Sequence, residues 1–335
     1  MRAHTVILGA GATIAAIPNG DRNGKKSSVM SGLIEKLNLS DVFSGVQLNT
    51  QSDNLEDIYS ELALRSECED ILCQLEKRIY DYFVSLELPE GPTIYDFLVL
   101  SLTKKDIIAT FNWDPLLIQA YIRCIKITDN LPHIFCLHGN VAMGYCEKHR
   151  EFGSTNAECP VCGELLPPTK LLYPVAEKNY SSDEYIKSCW DATEYIIENS
   201  YMITIFGYSA PSSDKKAVEL LKKAWGSLEK RQLEEVSVID VISEEEILKK
   251  WDKFIYTHHY RYTNDFFQSY LGMFPRRSCE TVFATFQFNL WADNKKGFHE
   301  DMSWDDVKNT LSDVLAEEMD TPGGKNYPLY YQGRK

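Results

Sequence analysis

Residues 106–140 read DIIATFNWDPLLIQAYIRCIKITDNLPHIFCLHGN, and the reading of this stretch decides the fold. Two short apolar runs, 107–109 and 134–137, each stop abruptly in polar chemistry, at 110–114 and 138–140. Strands buried inside a parallel sheet give that pattern: continuous apolar residues within, then ligand-facing side chains at the carboxyl edge. Between the runs, residues 115–127 place Pro early and Leu116, Leu117, Ala120 and Tyr121 at helical spacing, which predicts a connecting helix. Asn112, Asp114 and His138 are therefore expected to converge on one crevice.

Upstream, the run 5–8 leads into Gly9-Ala10-Gly11-Ala12-Thr13 and a helix start at 14–17. Strand, glycine turn and helix N-terminus are the ingredients of a dinucleotide cradle, since glycine lets backbone approach a pyrophosphate. The full GxGxxG is absent, and any tight βα turn has the same look. Residues 18–24 (PNGDRNG) are too polar and glycine-rich to continue a helix, and predict a mobile loop beside the ligand. From 27 to 102 the chain reads as largely helical, with Leu55, Ile58 and Leu62, then Leu72, Leu75, Ile79 and Phe83, at three- and four-residue steps. This insertion (25–100) predicts a helical module in which Cys68 and Cys73 are buried small residues. Pro89-Glu90-Gly91-Pro92 punctuates it, and 93–102 leads back to the sheet.

After His138 the pattern breaks. Cys146 and His149 form one knuckle, and Cys159 and Cys162, followed by Gly163, form another. Two such pairs are what a tetrahedral Zn²⁺ needs, and with four ligands filled the metal is expected to be structural. Cys136, inside an apolar run, reads as core. Further on, 182–199 predicts a helix capped by Ser181 or Ser182, 201–206 a buried strand ending in Gly207-Tyr208-Ser209, and 215–230 an amphipathic helix. Residues 236–239 predict another strand tipped by Asp240, which suits either a ribose contact or a helix cap, and 244–251 another helix. Beyond Tyr256 the alternation loosens. His258 and His259 have no partner at ligand spacing and read as structural. Residues 280–289 (ETVFATFQFN) alternate with period two, which predicts an edge strand or hairpin arm. Ser303 begins a capped helix to about Met319, and 321–335 reads as a loosely ordered tail.

Length and composition bound the rest. A chain of 335 residues with 44% hydrophobic content can bury a sizeable core, and no apolar run approaches the roughly 18 residues of a membrane span. The net charge of −14 argues against direct nucleic-acid binding, which needs clustered Lys and Arg. Nine cysteines, an odd count without a signal-peptide layout, favour reduced thiols and a metal site in the cytoplasm over a disulfide scaffold.

Taken in order, these pieces resemble the sirtuin (silent information regulator) superfamily over residues 4–255. GAGAT at 9–13 stands where sirtuins carry GAGxS, and Ile17-Pro18 with Asp21 and Arg22 is similar to the IPxFR segment. TFNWD at 110–114 resembles TQNxD, and Leu137-His138-Gly139 resembles the LHG motif with its active-site histidine. CPVCGELLPP resembles the CPxCGGxLRP of the zinc ribbon, and Gly207-Tyr208-Ser209 stands at the GTS position. The resemblance implies an α/β fold: a Rossmann-like parallel sheet with helices on both faces binding NAD⁺, plus a zinc-ribbon and helical subdomain (ribbon at 141–170). The segment 256–335 is left as an extension. It also implies Asn112 and Asp114 near the nicotinamide ribose and His138 as base on a ribose hydroxyl. Gly9, Ala10, Gly11, Thr13, Asp21, Arg22, Gly207, Ser209 and Asp240 are the implied nucleotide contacts, and Cys146, His149, Cys159 and Cys162 the metal ligands.

Three departures bear on the reaction. Phe111 replaces Gln beside the Asn, LLYPVAEKNY (171–180) lacks the FGE grip on an acyl-lysine peptide, and GYSAPSSD replaces GTSLxV. The last resembles the GYSxxD of prokaryotic sirtuin-like NAD⁺ hydrolases of antiphage defence. Losing the peptide signature while keeping the nucleotide motifs favours NAD⁺ hydrolysis, and the retained zinc ribbon favours a protein deacylase. A non-catalytic NAD⁺ or ADP-ribose sensor is the third reading, against which a buried base beside the ribose argues. An effector that depletes NAD⁺ needs restraint, so a homo-oligomer or regulatory partner protein is expected, with no membrane.

Overall fold

The computed structural model describes residues 2–320 except 44, 176, 177, 228, 232, 253 and 256–259. His258, His259 and the tail 321–335 lie outside the described residues. In chain order the elements are β1 (Ala3–Leu8), α1 (Ala10–Ala16), α2 (Met30–Lys36), α3 (Leu55–Leu62), α4 (Glu69–Val84), α5 (Ile94–Leu100), β2 (Ile107–Thr110), α6 (Leu116–Cys124) and β3 (His133–Cys136). A hairpin comes next, β4 (Met143–Cys146) and β5 (Glu151–Ser154), then α7 (Glu184–Asn199), β6 (Ser200–Phe206), α8 (Lys215–Trp225), β7 (Glu235–Ile239) and α9 (Glu244–Trp251). The chain continues through β8 (Tyr260–Thr263), α10 (Tyr270–Met273), α11 (Ser278–Phe288) and α12 (Trp304–Asp320).

Six strands form one sheet in the order β3-β2-β1-β6-β7-β8, every pair parallel. This is the doubly wound arrangement, and its order reverses at β1, where carboxyl ends of neighbouring strands diverge and ligands sit. Strand periodicity divides the core in two. Val6, Leu8 and Ile108 join α1, α4, α5, α6 and α12 on one face, while Ile7, Ala109, Ile203 and Val238 join α7, α8 and α9 on the other. The β4–β5 hairpin is the ribbon, closed by bridges Gly144–Pro168 and Glu158–Leu165.

Several boundaries differ from the sequence expectation for identifiable reasons. The helix before β6 is capped by Asp183, whose carboxylate accepts from Ile186 N at 3.0 Å, and not by Ser181 or Ser182. The helix expected over 215–230 stops at Trp225, because Gly226 takes φ +90°. Cys73 is exposed, whereas Cys68 is buried. Residues 280–289 form helix and not strand. Cys279, Val282 and Tyr201 make a small cluster beneath α11, so tertiary packing overrides the strand propensity of its Thr, Val and Phe. The edge strand β8 has no counterpart in the sequence pattern, being four half-buried residues of mixed polarity. Helix α12 begins at a capping box in which Ser303 N and Oγ donate to Asp306, and its Val307, Leu311 and Val314 share the core with β1.

Candidate active site

The turn after β1 and the turn after β6 meet backbone to backbone. Gly9 N donates to Phe206 O at 3.1 Å and Gly11 N to Gly207 O at 2.9 Å. A Cβ on Gly9 would lie 2.5 Å from Tyr208 Cα, and one on Gly207, at φ +59°, 2.3 Å from Ala12 N. The glycines therefore let two turns approach each other, and both named amides are spent on protein. Ala10 opens α1, and Ser209 is exposed. Asp21 does not present its carboxylate to the crevice: it accepts from Asn23 N and Lys25 N at 2.8 Å and from Glu87 N at 3.1 Å. The loop expected to be mobile is thus tied down by a buried carboxylate holding three amides. Arg22 pairs with Glu90 at 3.1 Å on the surface. Asp240 stands at the tip of β7 and accepts from Ile242 N at 3.0 Å, which closes a turn and is not the expected helix cap, since the N-cap of α9 is Ser243.

The tips of β2 and β3 carry the chemistry. Thr110 pairs with Cys136 in register, and Leu137 N donates to Thr110 O, so the segments leaving the two strands run side by side. Asn112 Nδ2 reaches Gly9 O at 2.9 Å, Thr13 Oγ1 at 3.0 Å and Tyr95 OH at 3.1 Å. Gly9 O can only accept, which fixes the amide's orientation and leaves Asn112 Oδ1 as the end available to a ligand. Thr13 Oγ1 donates to Asp114 Oδ2 at 2.7 Å, so Tyr95 OH, 2.7 Å from the same oxygen, must donate to it. Asp114 Oδ1 accepts from Leu116 N at 3.1 Å. Burial pushes the Asp114 carboxyl up, opposed by the Thr13 hydroxyl and the Leu116 amide. Asn140 Nδ2 donates to Asp114 O at 2.6 Å and Asn112 O at 3.2 Å, lacing the two loops together. Asp114 thus acts through Thr13 and the backbone.

His138 is 5% exposed, and its Nε2 has no hydrogen-bond partner among the described residues. Phe111 meets its ring edge-on at 4.8 Å, and Tyr180 stacks on it at 5.9 Å. Phe111 stacks in turn on Tyr208 at 4.2 Å. Asp214 Oδ1 lies 3.7 Å from His138 Nε2 and is ion-paired with buried Lys178. Burial lowers the imidazole to about 3, Asp214 raising it and Lys178 lowering it, so His138 is neutral near pH 7.

At the ribbon, the donor atoms of Cys146, His149, Cys159 and Cys162 lie within 4.8 Å of one another. Cys146 Sγ and Cys159 Sγ are 3.5 and 3.7 Å from His149 Nδ1. Bonds of about 2.0–2.3 Å at tetrahedral angles separate ligand atoms by about 3.5 Å, so the set fits Zn²⁺. The backbone N–H of Cys162, with that of Val161, holds the Cys159 thiol down to about 6, the thiolate a metal requires.

Tyr95, Asn140, Lys178, Tyr180 and Asp214 escaped the sequence reading. Asn140, a polar residue just past a strand tip, and Asp214, the last residue of GYSAPSSD, carried local signals. The others reach the site through contacts spanning up to 82 positions, as Tyr95 with Thr13 does.

No protein-family model matches the chain, and no curated protein matches it. Among solved structures it is similar to Sir2 bound to acetylated peptide (12% identity, TM-score 0.39, 86% of this chain and 93% of that one). It is similar also to a Sir2–p53 peptide–NAD⁺ complex (11%, 0.40, 86% and 93%) and to a structure described under the structural basis of sirtuin substrate affinity (13%, 0.41, 79% and 90%). At such TM-scores the likeness carries no argument of its own. The fold rests on the sheet itself, and among the described residues no helix is long and apolar enough to cross a membrane.

Proposed function

We propose that this chain is a sirtuin-like NAD⁺ glycohydrolase, converting NAD⁺ and water to nicotinamide, ADP-ribose and a proton. One observation carries the reading. Phe111 and Tyr208, the departures from the deacylase motifs, stack on each other and close off the space beside His138. Aromatic rings of the protein itself pack beside the base where the deacylase motifs carry other residues, and water needs no groove.

In the proposed mechanism the dinucleotide lies along the edge formed by Gly9, Ala10, Gly11, Thr13, Gly207 and Ser209. The C1′–N bond breaks with its electron pair leaving on nicotinamide, and a water oxygen forms the new bond to C1′. Asn112 Oδ1 accepts a hydrogen bond from that water or from a ribose hydroxyl, held in place by the Tyr95–Thr13–Asp114 chain. His138, neutral at working pH, takes the proton. Cys146, His149, Cys159 and Cys162 would hold a Zn²⁺ that braces the ribbon. The side chains of Asp21, Arg22 and Asp240 each already have a protein partner, so a nucleotide contact from any of them would replace or share it.

Mass spectrometry of the full chain with NAD⁺ alone tests the reading: nicotinamide and ADP-ribose accumulate, and His138→Ala or Asn112→Ala lowers turnover about a thousandfold at unchanged folding. The retained zinc ribbon favours the second reading, a protein deacylase. That reading requires turnover only with an acyl-lysine peptide, releasing O-acyl-ADP-ribose.

A further inference from the structure

Asp214 occupies the N-cap position of α8, where Asp usually accepts a hydrogen bond from the first turn, yet its side chain makes no such bond. Both oxygens turn the other way. Oδ2 accepts from Tyr208 OH at 2.9 Å, and Oδ1 faces two nitrogens: Lys178 Nζ in direct contact and His138 Nε2 at 3.7 Å. Lys178 and Asp214 are both buried, 6% and 3% exposed. A buried ion pair is a poor source of stability compared with apolar packing, so its presence beside a candidate base asks for another explanation. The unpartnered Nε2 supplies one: the oxygen it faces is already taken.

Resting on the proposed base role of His138, we propose that Asp214 is the positioning carboxylate of His138 and that Lys178 withholds it. Closing the 3.7 Å gap to hydrogen-bond length takes a shift of under about 1 Å. With Lys178 on Oδ1, the pull of the carboxylate on an imidazolium is opposed by the ammonium beside it, and the carboxylate stays beyond hydrogen-bond length from Nε2. With Lys178 withdrawn, Oδ1 pairs with Nε2–H, stabilises the imidazolium, and leaves Nδ1 as the accepting nitrogen. Lys178 Nζ also lies 3.3 Å from Ser213 Oγ, and Ser213 N donates to Glu56 Oε1 at 3.1 Å, so α3 holds the segment carrying the contested oxygen. Among the described residues, the charged and titratable groups facing His138 are Asp214 at the start of α8 and Lys178 and Tyr180 ahead of α7, and the other ring contact is Phe111.

NMR titration of histidine-labelled full-length protein, with His138 assigned by a His138→Gln variant, reads the device directly. Lys178→Met is expected to raise the His138 midpoint by at least one pH unit and to speed NAD⁺ turnover several-fold. Lys178→Arg should behave as the parent. Asp214→Asn should slow turnover tenfold or more, and the double variant should lose the upward shift. Lys178→Gln repeats the reading should the methionine variant unfold. A midpoint unmoved by either Lys178 substitution, or turnover indifferent to Asp214→Asn, overturns the proposal. If the parent consumes no NAD⁺ while the midpoint moves as stated, the hydrolase reading fails and the shared oxygen stands.

Discussion

Two buried charge clusters sit at opposite ends of the sheet's strands and are built on different terms. In the C-terminal cluster, Arg276 bonds Glu318 through Nε and Nη2 at 2.9 and 2.6 Å, and Leu102 O and Asn130 O through Nη1 and Nη2 at 3.1 and 2.9 Å. Arg277 adds contacts to Glu318 at 3.0 Å and Glu317 at 3.3 Å. Every nitrogen of the Arg276 guanidinium is matched. In the crevice cluster, three charged or chargeable groups converge on one carboxylate, and the His138 nitrogen facing it is left over. A buried guanidinium matched at every nitrogen, as that of Arg276 is, holds an architecture together, even though Arg277 Nε beside it has no hydrogen-bond partner among the described residues. Buried charge that is short of one partner has a second arrangement close by in energy.

The sharpest way to break the contrast is Arg276→Met. It removes two of the hydrogen bonds to Glu318, leaving it Arg277 and Asn130, and strands two carbonyls; it should cost about 3–5 kcal/mol, read as a fall in Tm and in urea midpoint. An equal loss from Lys178→Met would mean that both clusters are structural and erase the distinction. Metal removal comes next. The ribbon touches the crevice side, through Tyr145 against Tyr185 at 5.5 Å, and α7 then reaches Leu137 O through Trp190 Nε1 at 3.1 Å. A chelator, or Cys159→Ser, should therefore release one zinc per chain and depress turnover while hydrogen exchange at α12 stays slow. The smallest effect is acid sensitivity. His4 is buried between Ser278 Oγ at 2.8 Å and Thr204 Oγ1 at 2.7 Å, and burial lowers it to about 4 from 6.5, Asp106 opposing. A depressed histidine contributes its full stability above its unfolded value and loses it as pH falls toward the folded one. Tm should decline from about pH 6.5 toward 4, and His4→Gln should flatten part of that slope.

Much of the architecture was legible because its signals are local. The run before Thr110 ends as a strand buried in a parallel sheet must, the run before His138 proves to be the edge strand β3 with Ile134 and Phe135 only half-buried, and the knuckles around Cys146 and Cys159 have a spacing few other structures need. What could not be read is what depends on company. The alternation in 280–289 is that of a strand until Cys279 and Val282 find Tyr201 beneath them. The partnership of Lys178 with Asp214 spans 36 positions, and Lys178 carries no motif. Asp214 also falls two places later than the GYSxxD spacing would put it. Sequence displayed the groups that chemistry needs, and folding decided which of them compete.

Helix α12 lends its Val307, Leu311 and Val314 to the same core that holds β1, and Trp304 Nε1 reaches back to Glu90 O at 3.0 Å. A ribosome that has finished the entire sheet has therefore not yet finished the interior on which the sheet rests. Nascent chains must wait, with apolar surface open to chaperones, until residue 314 has cleared the exit tunnel. A chain still under synthesis therefore lacks the last side chains of the core that holds β1, the strand whose turn carries Gly9 and Gly11.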